Sequence, residues 1–156
     1  MSDKVKGLDD LKAIIASART NGKIVVFTNG CFDLLHRGHV HLLRSAKALG
    51  DLLIVAINSD QSVKSIKGPT RPVRSETDRL ELIASMEMVN YVLLFDEPDP
   101  YNLISVLRPN ILVKGGDWPA EEVIGGDIVQ ENGGKVVVIP YLKGFSTTEI
   151  IAKIRS

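Results

Sequence analysis

The run Leu52-Leu-Ile-Val-Ala-Ile57 contains no polar side chain. A strand with one wet face alternates apolar and polar residues, so an unbroken apolar run needs cover on both faces. Strands of that kind belong to parallel sheets, and parallel neighbours must be joined by crossovers, usually helices. The chain supplies both parts. Further apolar runs at Ile24–Phe27, Tyr91–Phe95, Ile111–Val113 and Lys135–Ile139 predict four more strands. Leu8, Leu11, Ile15 and Ala18 recur at helical spacing and predict a helix over about residues 8–20, stopped by Asn21-Gly22. Helices are also expected at Val40–Leu49, from Ser75 through an inner face of Leu80, Ile83, Ala84 and Met86, at Tyr101–Leu107, over roughly 120–131, and at Ile150–Ile154. Asp78 is placed to complete a capping box with Ser75. Ser62–Arg79 reads as a flexible basic loop: it carries Lys64, Lys67, Arg71, Arg74 and Arg79, and Gly68-Pro69 and Arg71-Pro72 interrupt it. The expected class is α/β, a single domain built on a doubly wound parallel sheet of five strands.

Ligands of such sheets bind in the crevice outside the carboxyl ends of the strands. That edge comprises Thr28–Asp33, Asn58–Asp60, Lys114–Trp118 and Tyr141–Thr147. All three histidines, His36, His39 and His41, follow the first of these stretches within six residues. His36 and His39, at i and i+3, share a face where a helix begins. A helix start offers free N–H groups and partial positive charge, which favours phosphate. Each imidazole adds a donor, and charge if protonated, while Gly38 lets a ligand approach the backbone. Ser146 and Thr147 open the last helix and are placed to hold outer phosphates, with Lys64, Lys67 and Arg79 neutralising them from the other side. The combination suits displacement at phosphorus by positioning and electrostatic stabilisation, with no covalent enzyme intermediate. Mg²⁺ is expected with a nucleoside triphosphate, carried by phosphate oxygens and water.

Plainer readings stand beside these. His36 and His39 are also a metal half-site, but His41 lies off their face and Cys31 alone is a poor supplement, so no protein metal site is expected. Cys31 has no base and orienter beside it and reads as packing. Trp118 either packs on a helix or stacks on a base. Asp60 is a turn residue or a ligand, and Ser146–Glu149 is also an ordinary helix cap. Lys plus Arg and Asp plus Glu both number 19, which argues against nucleic acid as a partner. No apolar run approaches the roughly 18 residues of a membrane span, and Met1–Gly7 lacks a signal-peptide core. One cysteine permits no intrachain disulfide. A cytoplasmic protein with no membrane partner is expected.

Gly30-x-Phe32-Asp33-x-x-His36-x-Gly38-His39, followed by Ser146-Thr147-Thr148, resembles the HxGH nucleotidyltransferases of the cytidylyltransferase type over nearly the whole chain. Thr28–Asp33, Asn58-Ser-Asp-x-Ser-Val-Lys64, Val113-Lys-Gly-Gly-Asp-Trp118 and Ser146-Thr-Thr-x-Ile150 are similar to the heptose 1-phosphate adenylyltransferase branch. The resemblance implies a Rossmann-like fold and transfer of AMP from ATP to D-glycero-β-D-manno-heptose 1-phosphate, for lipopolysaccharide core synthesis. It implies that His36 and His39 hold the α-phosphate, with Lys67 on neighbouring phosphates. Thr28, Asn29, Gly30, Cys31, Phe32 and Gly38 would line the nucleotide. Lys114, Gly116 and Trp118 would lie near the base and Asp117 at the ribose, with Ser146 and Thr147 on the β- and γ-phosphates. Asp33, Asn58, Asp60, Lys64, Arg71 and Arg79 would fall on the substrate side, Asp33 bracing its loop and Lys64 competing with Lys67 for one role. The resemblance also implies a homodimer and a separate heptose kinase, residues 1–156 forming one nucleotidyltransferase domain with no fused kinase. Arg37 departs from the apolar residue common at the variable motif position. The rival readings are a glycerol-3-phosphate cytidylyltransferase or related enzyme, and a non-catalytic nucleotide-binding module.

Overall fold

The computed structural model describes residues 1–156. The chain forms α1 (Leu8–Thr20), β1 (Val25–Gly30), α2 (Arg37–Lys47), β2 (Leu52–Asn58), α3 (Asp60–Lys67), α4 (Glu76–Ala84), β3 (Tyr91–Phe95), α5 (Tyr101–Leu107), β4 (Ile111–Gly115), α6 (Gly126–Glu131), β5 (Lys135–Ile139) and α7 (Thr147–Arg155). The strands make one parallel sheet in the order β3-β2-β1-β4-β5. Leu53 to Ile57 of β2 are fully buried, as their composition requires.

Side chains alternate along each strand, so each face of the sheet receives its own core. Val25, Phe27, Ile54 and Ala56 point to the layer of α1, α5 and α6, with Leu11, Ile15, Ile104 and Val129. Val26, Leu53, Val55 and Ile57 point to the layer of α2 and α4, with Leu43, Ala46, Leu80 and Ile83. Two helical layers on one parallel sheet make the fold doubly wound and Rossmann-like.

Three expectations are corrected. Ser62–Lys67 is helical as part of α3, so the irregular basic segment shortens to residues 68–75. Ser59 caps that helix by accepting the Ser62 N–H at 3.2 Å, and Val63 seats it in the core. The stretch over 120–131 is broken: a 3₁₀ turn at Ala120–Glu122 precedes α6. Gly125 between them has φ 87°, and a Cβ there would lie 2.5 Å from Ile104 Cδ1. At Ser75 only half of the capping box forms, the hydroxyl accepting the Asp78 N–H at 3.2 Å.

The strand order reverses between β1 and β4. There the ladder pairs only Val26 with Ile111 and Phe27 with Leu112, whereas β1 pairs with β2 as far as Gly30 and Ile57. Beyond Phe27 the two strands part, and the sheet opens into the crevice where such folds bind ligands.

Candidate active site

The crevice has two joined lobes. The inner lobe, about 350 Å³, is lined from β1 and its loop by Asn29, Gly30, Cys31, Phe32 and Asp33, and further by His39, Asn58, Lys67 and Lys114. The outer lobe, about 550 Å³, lies between His36, His39 and Lys67 on one side and the segment Ile139–Glu149 on the other. Lys67, His39, Leu42, Gly115, Tyr141 and Thr147 border both lobes.

His36 and His39 are locked by the helix they open. His36 is the N-cap of α2, and its Nδ1 accepts the Gly38 N–H at 3.1 Å. His39 Nδ1 accepts the His36 N–H at 3.2 Å. The rings lie 3.8 Å apart, tilted by 30°. A nitrogen that accepts an N–H carries no proton, so each neutral ring holds its proton on Nε2. Burial pushes both histidines below the ordinary 6.5; for His39, His36 and Lys67 add to this and bring it to about 4. For His36, the charge of Glu149 partly opposes the shift. Both are therefore neutral near pH 7. Two helix-start N–H groups are consumed by the imidazoles, and their polarity is passed outward to two Nε2–H donors.

Gly38 serves this lock. A Cβ there would lie 2.8 Å from His36 Cε1 and 2.9 Å from Nδ1, so a side chain would displace the imidazole. Gly38 also borders the outer lobe, so this packing role stands beside the expected approach of a ligand to its backbone.

Ser146 and Thr147 meet the histidine loop from the far end of the chain. Thr147 Oγ1 donates to Leu34 O at 3.0 Å, tying the start of α7 to the loop before α2. Its proton is spent there. Ser146 Oγ accepts the Glu149 N–H at 3.0 Å and keeps its own proton to donate, beside the unpaired N–H groups of the first turn of α7.

Several expected contacts are structural instead. Thr28 is buried and its hydroxyl donates to Val113 O at 2.9 Å, closing the sheet where the β1–β4 ladder ends. Arg79, expected at a phosphate, is fully buried; it donates to Arg74 O, Cys31 O, Asn58 O and Asp60 Oδ1 at 3.1, 2.8, 2.6 and 2.8 Å. Asp60 is thereby its partner rather than a crevice ligand. Asp33 accepts from Arg71 Nε at 2.7 Å and from the Val73 and Arg74 N–H groups. Burial pushes its carboxyl up, but hydrogen bonds from Arg74, Arg71 and Val73 outweigh this and hold it below the usual carboxylate range. It braces the loop, and Arg71 is committed to it. Asn58 is buried with its amide donating to Ser62 Oγ at 3.0 Å, yet it borders the inner lobe.

Of the two competing lysines, Lys67 ends α3 beside His39, whereas Lys64 is exposed and borders neither lobe. Lys114 spans the inner lobe and a slot of about 90 Å³ that also holds Asn29, Trp118, Glu122 and Ile124. Burial lowers its ammonium below the ordinary range, with Cys31 opposing. Its Nζ sits 5.7 Å from the centre of the Trp118 ring. Gly116 and Asp117 border neither lobe: the space at Gly116 is taken by the Tyr141 ring and Trp118. Tyr141, 68% exposed on the crevice wall, opens the strand-end stretch Tyr141–Thr147 but was given no role from sequence, and Leu42 was not singled out. The place of Tyr141 just after β5 was the usable signal.

A family model described as cytidylyltransferase-like matches residues 27–153. The bifunctional protein HldE of Trichlorobacter lovleyi is 52% identical over 97% of this chain, and that of Caulobacter sp. is 52% identical over 99%. The chain spans 31% and 32% of the length of those two relatives. The crystal structure of the lipopolysaccharide core biosynthesis protein from Thermoplasma volcanium has a TM-score of 0.63 and 31% identity, covering 80% of this chain and 100% of that one. Pantoate-beta-alanine ligase from Francisella tularensis shares the fold, with a TM-score of 0.65 at 18% identity over 99% of this chain and 77% of that one. With its paired Nε2–H donors at the sheet's switch point and a family match across most of its length, the chain belongs to the cytidylyltransferase-like nucleotidyltransferases.

Proposed function

We propose that the enzyme transfers AMP from ATP to D-glycero-β-D-manno-heptose 1-phosphate, releasing pyrophosphate and forming ADP-heptose for lipopolysaccharide core synthesis. The observation that carries the chemistry is the pair of neutral imidazoles, each aligned by a backbone N–H at Nδ1. Their Nε2–H groups stabilise charge on the α-phosphoryl oxygens as the sugar phosphate oxygen attacks in line. Ser146 and the first turn of α7 take the leaving pyrophosphate, and Lys67 balances charge between the lobes. The heptose acceptor is supported by the segments shared with that branch, Asn58–Lys64 and Val113–Trp118, and by half-identity to the HldE proteins.

Mg²⁺ enters as part of the substrate, MgATP. No group of three His, Cys, Asp or Glu residues is arranged to hold an ion, and the Asp33 carboxylate is engaged by its loop. The nucleotide's own phosphates are its ligands.

Pyrophosphate release with ATP and with CTP, over a panel of sugar and polyol phosphates, tests the reading. ATP with the heptose phosphate is expected to be the best pair. Turnover of CTP with glycerol 3-phosphate, and none with the heptose phosphate, would sink it.

A further inference from the structure

We infer that Phe32 is a positioning residue for His39, held to that task by Asp33 and Arg79. Phe32 has φ 48°, a left-handed conformation that a bulky side chain rarely adopts. Both of its neighbours are pinned. On one side the Cys31 carbonyl accepts Arg79 Nη1 at 2.8 Å. On the other, the Asp33 carboxylate takes Arg71 Nε, Val73 N–H and Arg74 N–H. Arg79 also holds Asn58 O and Arg74 O, so β1, β2 and the 68–75 segment are joined around this one turn.

The backbone twist has one visible product. It turns the Phe32 ring inward, to 4% exposure, with its centroid 5.2 Å from that of His39 and tilted 53° to it. Gly30 makes room: a Cβ there would come within 3.0 Å of Phe32 Cε2. His39 thus packs against two rings, Phe32 at 5.2 Å and His36 at 3.8 Å between centroids. Its Nδ1 is anchored by the His36 N–H. The hydrogen bond and the two flanking rings together orient the His39 ring and so aim its Nε2–H. Phe32 was expected among the nucleotide contacts and does border the inner lobe; this assigns it a further role through His39.

The inference rests on the proposed reaction only for its turnover arm. Phe32→Leu removes the ring and keeps an apolar side chain, and Asp33→Asn loosens the pin and keeps the ring. In Phe32→Leu, turnover is expected to fall at least about tenfold with KM for ATP moving less than about threefold. In both variants, imidazole nitrogen NMR of the nucleotide-free protein is expected to show His39 losing its single Nε2–H tautomer and titrating nearer to 6.5. A purely structural role would lower Tm and leave those His39 signals where they are. An unchanged His39 tautomer and titration in whichever of the two variants folds overturns the inference. Absence of turnover in the wild-type enzyme with ATP and the heptose phosphate would instead strike the proposed reaction, leaving the NMR comparison to decide on Phe32.

Discussion

His36 and His39 cap their own helix, and that decides where their protons sit. Removing one such donor is expected to cost turnover on the order of 10²–10³-fold, as for other preorganised hydrogen bonds to developing negative charge. His36→Ala should show this loss in steady-state kinetics while its circular dichroism stays native. Gly38→Ala is a subtler test, because its methyl would occupy the space of the His36 imidazole. Its turnover is expected to fall by at least about tenfold with ATP affinity less affected. The titration of His39 gives a pH prediction with a definite sign. Its folded value is about 4 against an ordinary 6.5, so between these limits the unfolded chain binds more protons than the folded one. The corresponding stability is complete above 6.5 and is lost as pH falls towards 4. Asp33, held below its usual 3.8, loses its contribution only at still lower pH. Urea unfolding at pH 7 and pH 5 should therefore show a loss on acidification that His39→Gln reduces. The histidine spacing was legible in the sequence because the motif is local. The partners of Asp33 and Arg79 were not: charge marks a residue as polar, and only the tertiary fold shows that Arg79 is fully buried under the loop.

At the scale of elements, α3 places the two candidate phosphate-binding lysines. It ends at Lys67, and its last turn carries that ammonium to the crevice while Lys64 faces solvent. Lys67→Ala is expected to raise KM for ATP or the sugar phosphate by about tenfold, as expected for losing a charge-assisted contact. Lys64→Ala should change either KM by less than about twofold. Equal effects from both would place the phosphate contact elsewhere. Helix α5 and strands β3 and β5 have the bounds read from sequence, because proline, glycine or aspartate turns flank a clear apolar pattern. Helix α3 was hidden: Val63 is buried but Ile66 is 47% exposed, so the apolar face is too short to announce a period. The break before α6 was hidden for another reason, since the collision of a Cβ at Gly125 with Ile104 is a long-range contact.

For the whole molecule, the apolar run of β2 correctly announced a parallel sheet covered on both faces. Strand order was beyond the sequence pattern, because the alternation of strands and helices is the same for several orders. It is the order that parts β1 from β4 and brings Thr147 to Leu34, a hydrogen bond between residues 113 positions apart. That closure puts the two helix starts of α2 and α7 on one crevice. No helix is long and apolar enough to cross a membrane. The proposed transfer is a single in-line displacement with no covalent enzyme intermediate. The stereochemical course at phosphorus tests this most directly: one diastereomer of ATPαS is turned over with D-glycero-β-D-manno-heptose 1-phosphate, and the thiophosphate product is read by ³¹P NMR. An ADP-heptose analogue with inverted configuration at the α-phosphorus is the expected result; retained configuration would contradict direct transfer between the two substrates.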